Sequence, residues 1–84
     1  MPFINIGFGN VVNSDKVCSI VSPEAAPIKR MIQNAKDSGI AVDCTCGRKT
    51  KAVLVMENRT IVLSSLHPET IATRMNTEDE RRTS

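Results

Sequence analysis

The sequence predicts an α+β domain: a small antiparallel sheet with one long and one short helix, in the order β-β-α-β-β-β-α. Three observations carry this expectation. Apolar residues alternate with polar ones at period two over residues 3–8 and 40–46, as half-buried strands do. A single long segment, starting near Ala26, instead spaces its apolar residues at helical intervals. The later strands are joined by short turns of about two to four residues, which cannot make a parallel crossover.

Each element follows from local chemistry. In the first strand, Ile4, Ile6 and Phe8 share one face, with Asn5 and Gly7 on the other. Gly7, Gly9 and Asn10 loosen the chain before Val11 and Val12, as glycines at a bend or bulge do. Asn13-Ser14-Asp15-Lys16 reads as a turn and 17–21 as the returning strand. The first third is therefore an irregular hairpin with Lys16 near its tip. A short turn over 22–25 precedes a helix from Ala26, which leaves Pro27 in the first turn, where its missing N–H is harmless. Ile28, Met31, Ile32 and Ala35 form the apolar stripe, and Gly39 is the C-terminal cap. Strand 40–46 presents Ile40, Val42, Cys44 and Cys46 to the core, with a turn at Gly47. Strands 50–56 and 60–64 flank a turn at Glu57-Asn58-Arg59, and a short closing helix runs over 68–75 with Pro68 at its start.

Eighty-four residues make one small domain, expected over 1–75, with 76–84 as a polar, charged, mobile tail. Two Phe are the only aromatics, which argues against a base-stacking surface for single strands. No apolar run reaches a membrane span of roughly 18–20 residues, and the N-terminal residues lack the basic start and apolar stretch of a signal peptide. The expectation is a cytoplasmic protein. Three cysteines, an odd number, make a structural disulfide framework a poor reading, and buried reduced thiols the default.

Net charge is only +2, but its distribution is uneven. Arg48, Lys49 and Lys51 fall close together, with the nearest acid at Asp43. Two readings stand side by side for this cluster: phosphate contacts from a hairpin tip, or a solvated turn that keeps the chain in solution. Val53-Leu54-Val55-Met56 and Ile61-Val62-Leu63 are continuous apolar runs whose two faces both want burial. The long helix covers one face. A second copy of the chain is the simplest cover for the other; the first hairpin with the short helix is the alternative.

No catalytic constellation emerges. Cys44-x-Cys46 with Cys18 and His67 offers a single close pair, whereas structural zinc sites pair their ligands twice. A Cys/His nucleophile lacks an orienting carboxylate. Gly7-Phe8-Gly9 lacks the third glycine and the helix of a dinucleotide fingerprint. The expectation is no enzyme, no cofactor, no metal and no small-molecule substrate.

Four blocks in order closely resemble the RemA-like family: Ile4-Asn5-Ile6-Gly7-Phe8-Gly9-Asn10, Ile20-Val21-Ser22-Pro23-Glu24, Ala26-Pro27-Ile28-Lys29-Arg30-Met31-Ile32 and Gly47-Arg48-Lys49-Thr50-Lys51-Ala52-Val53. The likeness runs without a gap from about Phe3 to Met75. The resemblance implies ring-like homo-oligomers that bind, bend or wrap double-stranded DNA and regulate transcription of extracellular-matrix and biofilm genes. It implies DNA contacts at Lys16, Arg48 and Lys49, with Lys51 in the same patch. It also implies a nucleoid-associated location and a role in protomer packing for Pro27; Ile28, Val53 and Val55 are the further packing candidates. The chain departs from the family pattern with Lys at 16 and 49 where Arg is familiar, so bidentate hydrogen bonding is given up there while charge survives. The alternative is an oligomeric scaffold for other proteins with no DNA role.

Overall fold

A computed structural model of the chain describes the backbone of residues 3–83 and the side chains of residues 3–76. Among the described residues, eight regular elements follow one another: β1 (Phe3–Gly7), β2 (Asn10–Asn13), β3 (Val17–Val21), α1 (Ala26–Asp37), β4 (Ala41–Asp43), β5 (Ala52–Met56), β6 (Ile61–Ser64) and α2 (Pro68–Thr83). A 3-10 turn, Ser14–Lys16, links β2 to β3. The domain is α+β with two helices, as the patterning predicts, but three strands precede α1 rather than two.

The extra strand comes from the glycines. Gly7, Phe8 and Gly9 all take positive φ (110°, 53° and 77°), so the chain reverses at once and β2 pairs antiparallel with β1. The tip of the first hairpin is therefore Phe8-Gly9, and Lys16 lies beyond it in the 3-10 turn. That turn directs β3 into the other sheet, where it pairs with β5. The β1–β2 register skips Ile6, a bulge that bends the strand.

The larger sheet has the order β3-β5-β6-β4. β3·β5 and β5·β6 are antiparallel, but β4·β6 is parallel, which corrects the all-antiparallel expectation. The chain does not return from β4 as a hairpin. Residues 44–51 cross over the end of β6 and enter β5 on its far side, so Arg48 and Lys49 sit in a crossover loop, not at a hairpin tip. Among the strands after α1, turn length constrains only the β5–β6 connection, closed by Arg59 at φ 70°. β4 itself is a three-residue edge strand. Its expected core face is inverted: Ile40 and Val42 are 44% and 49% exposed, while Ala41 packs towards α1.

Both faces of β5 and β6 are covered within one chain. Beneath α1, Val53, Ile61 and Leu63 pack with Ala35, Ile28, Met31 and Ile32. On the other face, Leu54, Val62 and Ala52 pack with Ile4 and Ile6 of β1, Ile71 of α2, and Cys44. Complete enclosure of each such aliphatic side chain contributes about 1.5–3 kcal/mol. No second copy is needed to bury these strands, because the first hairpin and α2 suffice. Val53, fully buried here, has no surface left for a partner; Ile28 and Val55 are half-buried and Pro27 is exposed.

The helices begin and end as their sequences direct. α1 carries Pro27 among its first residues and closes at Gly39 (φ 74°), with Ile40 N donating to Ala35 O at 2.9 Å. The sequence places the closing helix over 68–75, whereas α2 extends to Thr83. The side chains of the charged tail from 77 onward, and the mobility expected of it, lie outside the described residues. No helix among the described residues is long and apolar enough to cross a membrane.

Candidate nucleic-acid interface

The basic loop is pinned at both ends to β6. Cys44 N donates to Leu63 O (2.9 Å), and Lys51 N donates to Ser64 O (2.8 Å). Between these anchors the chain is braced by Asp43, whose Oδ1 accepts from the amide (2.8 Å) and hydroxyl (2.6 Å) of Thr45. Those two hydrogen bonds favour the carboxylate and hold its pKa below the usual value, with a smaller contribution from the charge on Lys36. Thr45 is buried, Cys46 and Gly47 take positive φ (55° and 81°), and Arg48 N closes the turn on Thr45 O at 3.1 Å. The loop is thus a fixed platform on which Arg48, Lys49 and Lys51 are exposed.

Arg48 does not stand alone. Its guanidinium carbon lies 5.4 Å from the centroid of the Phe8 ring, within cation–π range. Phe8 is 51% exposed at the β1–β2 tip, in a left-handed conformation that costs a non-glycine residue about 1–2 kcal/mol. Its turn is clamped: Gly7 N donates to Asn5 Oδ1 (2.7 Å), Asn10 Nδ2 donates to Gly7 O (3.0 Å), and Arg74 Nη1 donates to Asn5 O (2.6 Å). The hairpin is tied to the loop's anchor strand through Ser64, whose buried hydroxyl donates to Ile6 O at 2.8 Å.

Two open grooves flank the loop. One, of about 550 Å³, is bordered by Phe8, Arg48, Lys49, Lys51 and Leu66. The other, about 910 Å³, lies towards α1 and the start of α2, where Lys29 and His67 join Lys49 and Lys51, with Glu24 and Glu69 on the same rim. Lys49 and Lys51 border both, so one basic surface continues from the Phe8 turn to α1. Lys29 is visible in the sequence only as part of a polar helix face, and Phe8 only as a strand residue between glycines.

Lys16 is placed elsewhere. Its carbonyl accepts from Glu57 N (2.7 Å), and its ammonium lies 3.5 Å from Glu57 Oε2. It therefore sits at the C-terminal end of β5, whereas Lys51 precedes the N-terminal end. The five residues of β5 separate them, about 17 Å along the strand. The structure brings Arg48, Lys49 and Lys51 together and leaves Lys16 at the opposite end.

The thiols are dispersed. Cys44 is buried, and burial pushes its pKa up, helped by the Asp43 charge. Cys18 and Cys46 are exposed, which corrects the expected core position of Cys46: the left-handed turn rotates it outward. Among the described residues no group of His, Cys, Asp or Glu side chains converges as metal ligands.

Comparison with known proteins matches residues 3–75 to the RemA-like family, described as extracellular matrix regulatory protein A-like. The chain belongs to the RemA-like family. It is 54% identical over 80 residues to extracellular matrix regulatory protein A of Bacillus subtilis, covering 95% of this chain and 90% of that protein. A putative regulatory protein of Lachnoclostridium phytofermentans is 71% identical over 73 residues, covering 87% and 80% of the two chains. Another, from Carboxydothermus hydrogenoformans, is 52% identical over 81 residues, covering 96% and 93%. This RemA-like chain is thus one of a family of regulatory proteins associated with extracellular matrix regulation.

Proposed function

We propose that this RemA-like chain is a non-enzymatic, DNA-binding transcriptional regulator of extracellular-matrix and biofilm genes. It acts at the nucleoid as a ring-like homo-oligomer that binds or wraps double-stranded DNA. Arg48, Lys49 and Lys51 hold backbone phosphates, and Lys16 adds a further contact. The observation that carries this reading is the continuous basic surface on a loop whose main chain is pinned to β6. A rigidly held cluster of exposed cations meets an anionic polymer without a large ordering cost.

The placement of Lys16 supports repetition. Basic points at opposite ends of one strand become a continuous track when copies stand side by side, and many copies supply the phosphate contacts that one cannot. A groove of about 620 Å³, bordered by Pro27, Met31, Ile40, Val55 and Ile61, offers an apolar surface for packing between copies. It favours Pro27 and Val55 as packing residues over the enclosed Val53. Recognition rests on DNA shape and bendability, since the basic surface is built chiefly on a loop and not on a recognition helix.

Arg48→Ala combined with Lys49→Ala tests the proposal. Duplex affinity should collapse, the log–log salt slope should flatten by about 0.9 for each phosphate no longer neutralised, and the native mass should be unchanged. Retained affinity would refute the surface. The same groove also fits the alternative of a protein scaffold without a DNA role. A stable oligomer with no duplex binding at low salt would favour it.

A further inference from the structure

We infer that Phe8 is a positioning residue for duplex binding: its ring holds the Arg48 guanidinium in the orientation that meets the phosphate. The inference rests on the DNA-binding reading of the loop and assigns a role to a residue outside it.

Three independent features of Phe8 converge. It is half exposed and belongs to neither core cluster. Its backbone sits at φ 53°, between two glycines that also have positive φ. A turn of this geometry is most cheaply built from Gly or Asn, and a bulky residue held there points to a purpose other than stability. The clamp formed by Asn5, Asn10 and Arg74 keeps the turn in this unfavourable form. Finally, the ring lies under the one guanidinium of the basic loop.

The pairing matters because Arg48 differs from its neighbours. Lys49 and Lys51 are mobile point charges that reach a phosphate from many directions. A guanidinium is a planar fork, and it gains two parallel hydrogen bonds only when its plane is set correctly. A ring fixed by a strained, clamped turn removes rotamers that Arg48 would otherwise give up on binding. The hairpin therefore prepares the loop's one directional donor before DNA arrives.

Phe8→Asn tests this, because Asn tolerates the left-handed turn but removes the ring. Duplex affinity should fall about twofold to fivefold, the range of an exposed cation–π interaction. The salt slope should be unchanged because no cation is removed, and the thermal midpoint should stay within a few degrees. Phe8→Tyr should restore wild-type affinity. In an Arg48→Ala background, Phe8→Asn should have no further effect. Wild-type affinity in Phe8→Asn, an equal loss in both backgrounds, or a binding loss that tracks a large fall in the midpoint would each overturn the role. If wild type and the Arg48→Ala, Lys49→Ala variant bind alike, the DNA-binding reading fails and this role falls with it. If those two separate while Phe8→Asn matches wild type, only the role of Phe8 fails.

Discussion

Replacing Ser64 with Ala should destabilise the fold far more than the loss of one oxygen atom suggests. Ser64 is fully buried, donates to Ile6 O at 2.8 Å and accepts from Leu66 N at 3.1 Å. The β1–β2 register skips Ile6, so its carbonyl turns to this hydroxyl across the junction of the two sheets. In Ser64→Ala the acceptor on Ile6 stays buried without this donor. A buried polar group left unpaired costs about 1–3 kcal/mol, and a central value of about 2 kcal/mol covers the buried Ile6 carbonyl with the part-buried Leu66 amide, which loses its acceptor too. A domain of this size has only about 4–13 kcal/mol of stability in total. At about 4–8 °C per kcal/mol, the thermal midpoint should fall by roughly 8–16 °C. Circular dichroism melts and urea unfolding measure this directly, with the urea slope unchanged because the surface exposed on unfolding is the same. Ser65→Ala, at a half-buried neighbour, is the control and should stay within about 0.5 kcal/mol. A loss for Ser64→Ala no larger than that control would show that the bulge does not depend on Ser64.

Two further outcomes follow from the charges. Lys16 and Glu57 form an ion pair with both side chains 61% exposed, so breaking it should hardly change stability. Glu57→Gln should nonetheless tighten duplex binding at low salt, by freeing the ammonium and removing a repulsive carboxylate, with the gain vanishing as salt rises. Unchanged or weaker binding at low salt would exclude Lys16 from the DNA contact. Asp43 has a folded-state pKa below its usual value, held there chiefly by Thr45. Its charge therefore stabilises the fold fully above the unfolded carboxylate value of about 4 and loses that contribution as pH falls through the depressed value. Chemical denaturation of wild type and Asp43→Asn at a series of pH values should show a gap that narrows in acid. A gap independent of pH would refute the ionic brace.

Some of this architecture is legible in the sequence because its causes are local. α1 has its proline, its apolar stripe and its terminal glycine within one segment, and the buried runs of β5 and β6 announce burial on both faces. The basic loop is readable from three cations around one turn. What covers those faces, and which strand neighbours which, depends on long-range partners. Gly7-Phe8-Gly9 reads as a bulge or a reversal equally well in the sequence; the reversal is held by side-chain hydrogen bonds of Asn5 and Asn10 and by the docking of Ile6 on Ser64, far along the chain. Ile40 and Val42 alternate like core residues, yet β4 lies at the sheet edge, because its parallel partner β6 already faces β5 on the other side. Phe8 is hidden in the sequence because its importance lies in a backbone angle and a neighbour on another element, neither of which has a local signature.

The anchors of the crossover loop have a consequence for how such a protein changes over time. Cys44 and Lys51 hold the loop through main-chain atoms, so its attachment to β6 does not use the side chains at 48, 49 and 51. Exchanging Lys for Arg there, or adding and deleting charges, changes the charge of the surface while leaving those anchors in place. The loop behaves as a replaceable cartridge. Asp43, Thr45 and Gly47 form its socket, so the exposed side chains at 49 and 51 can be exchanged while the main-chain anchors stay intact.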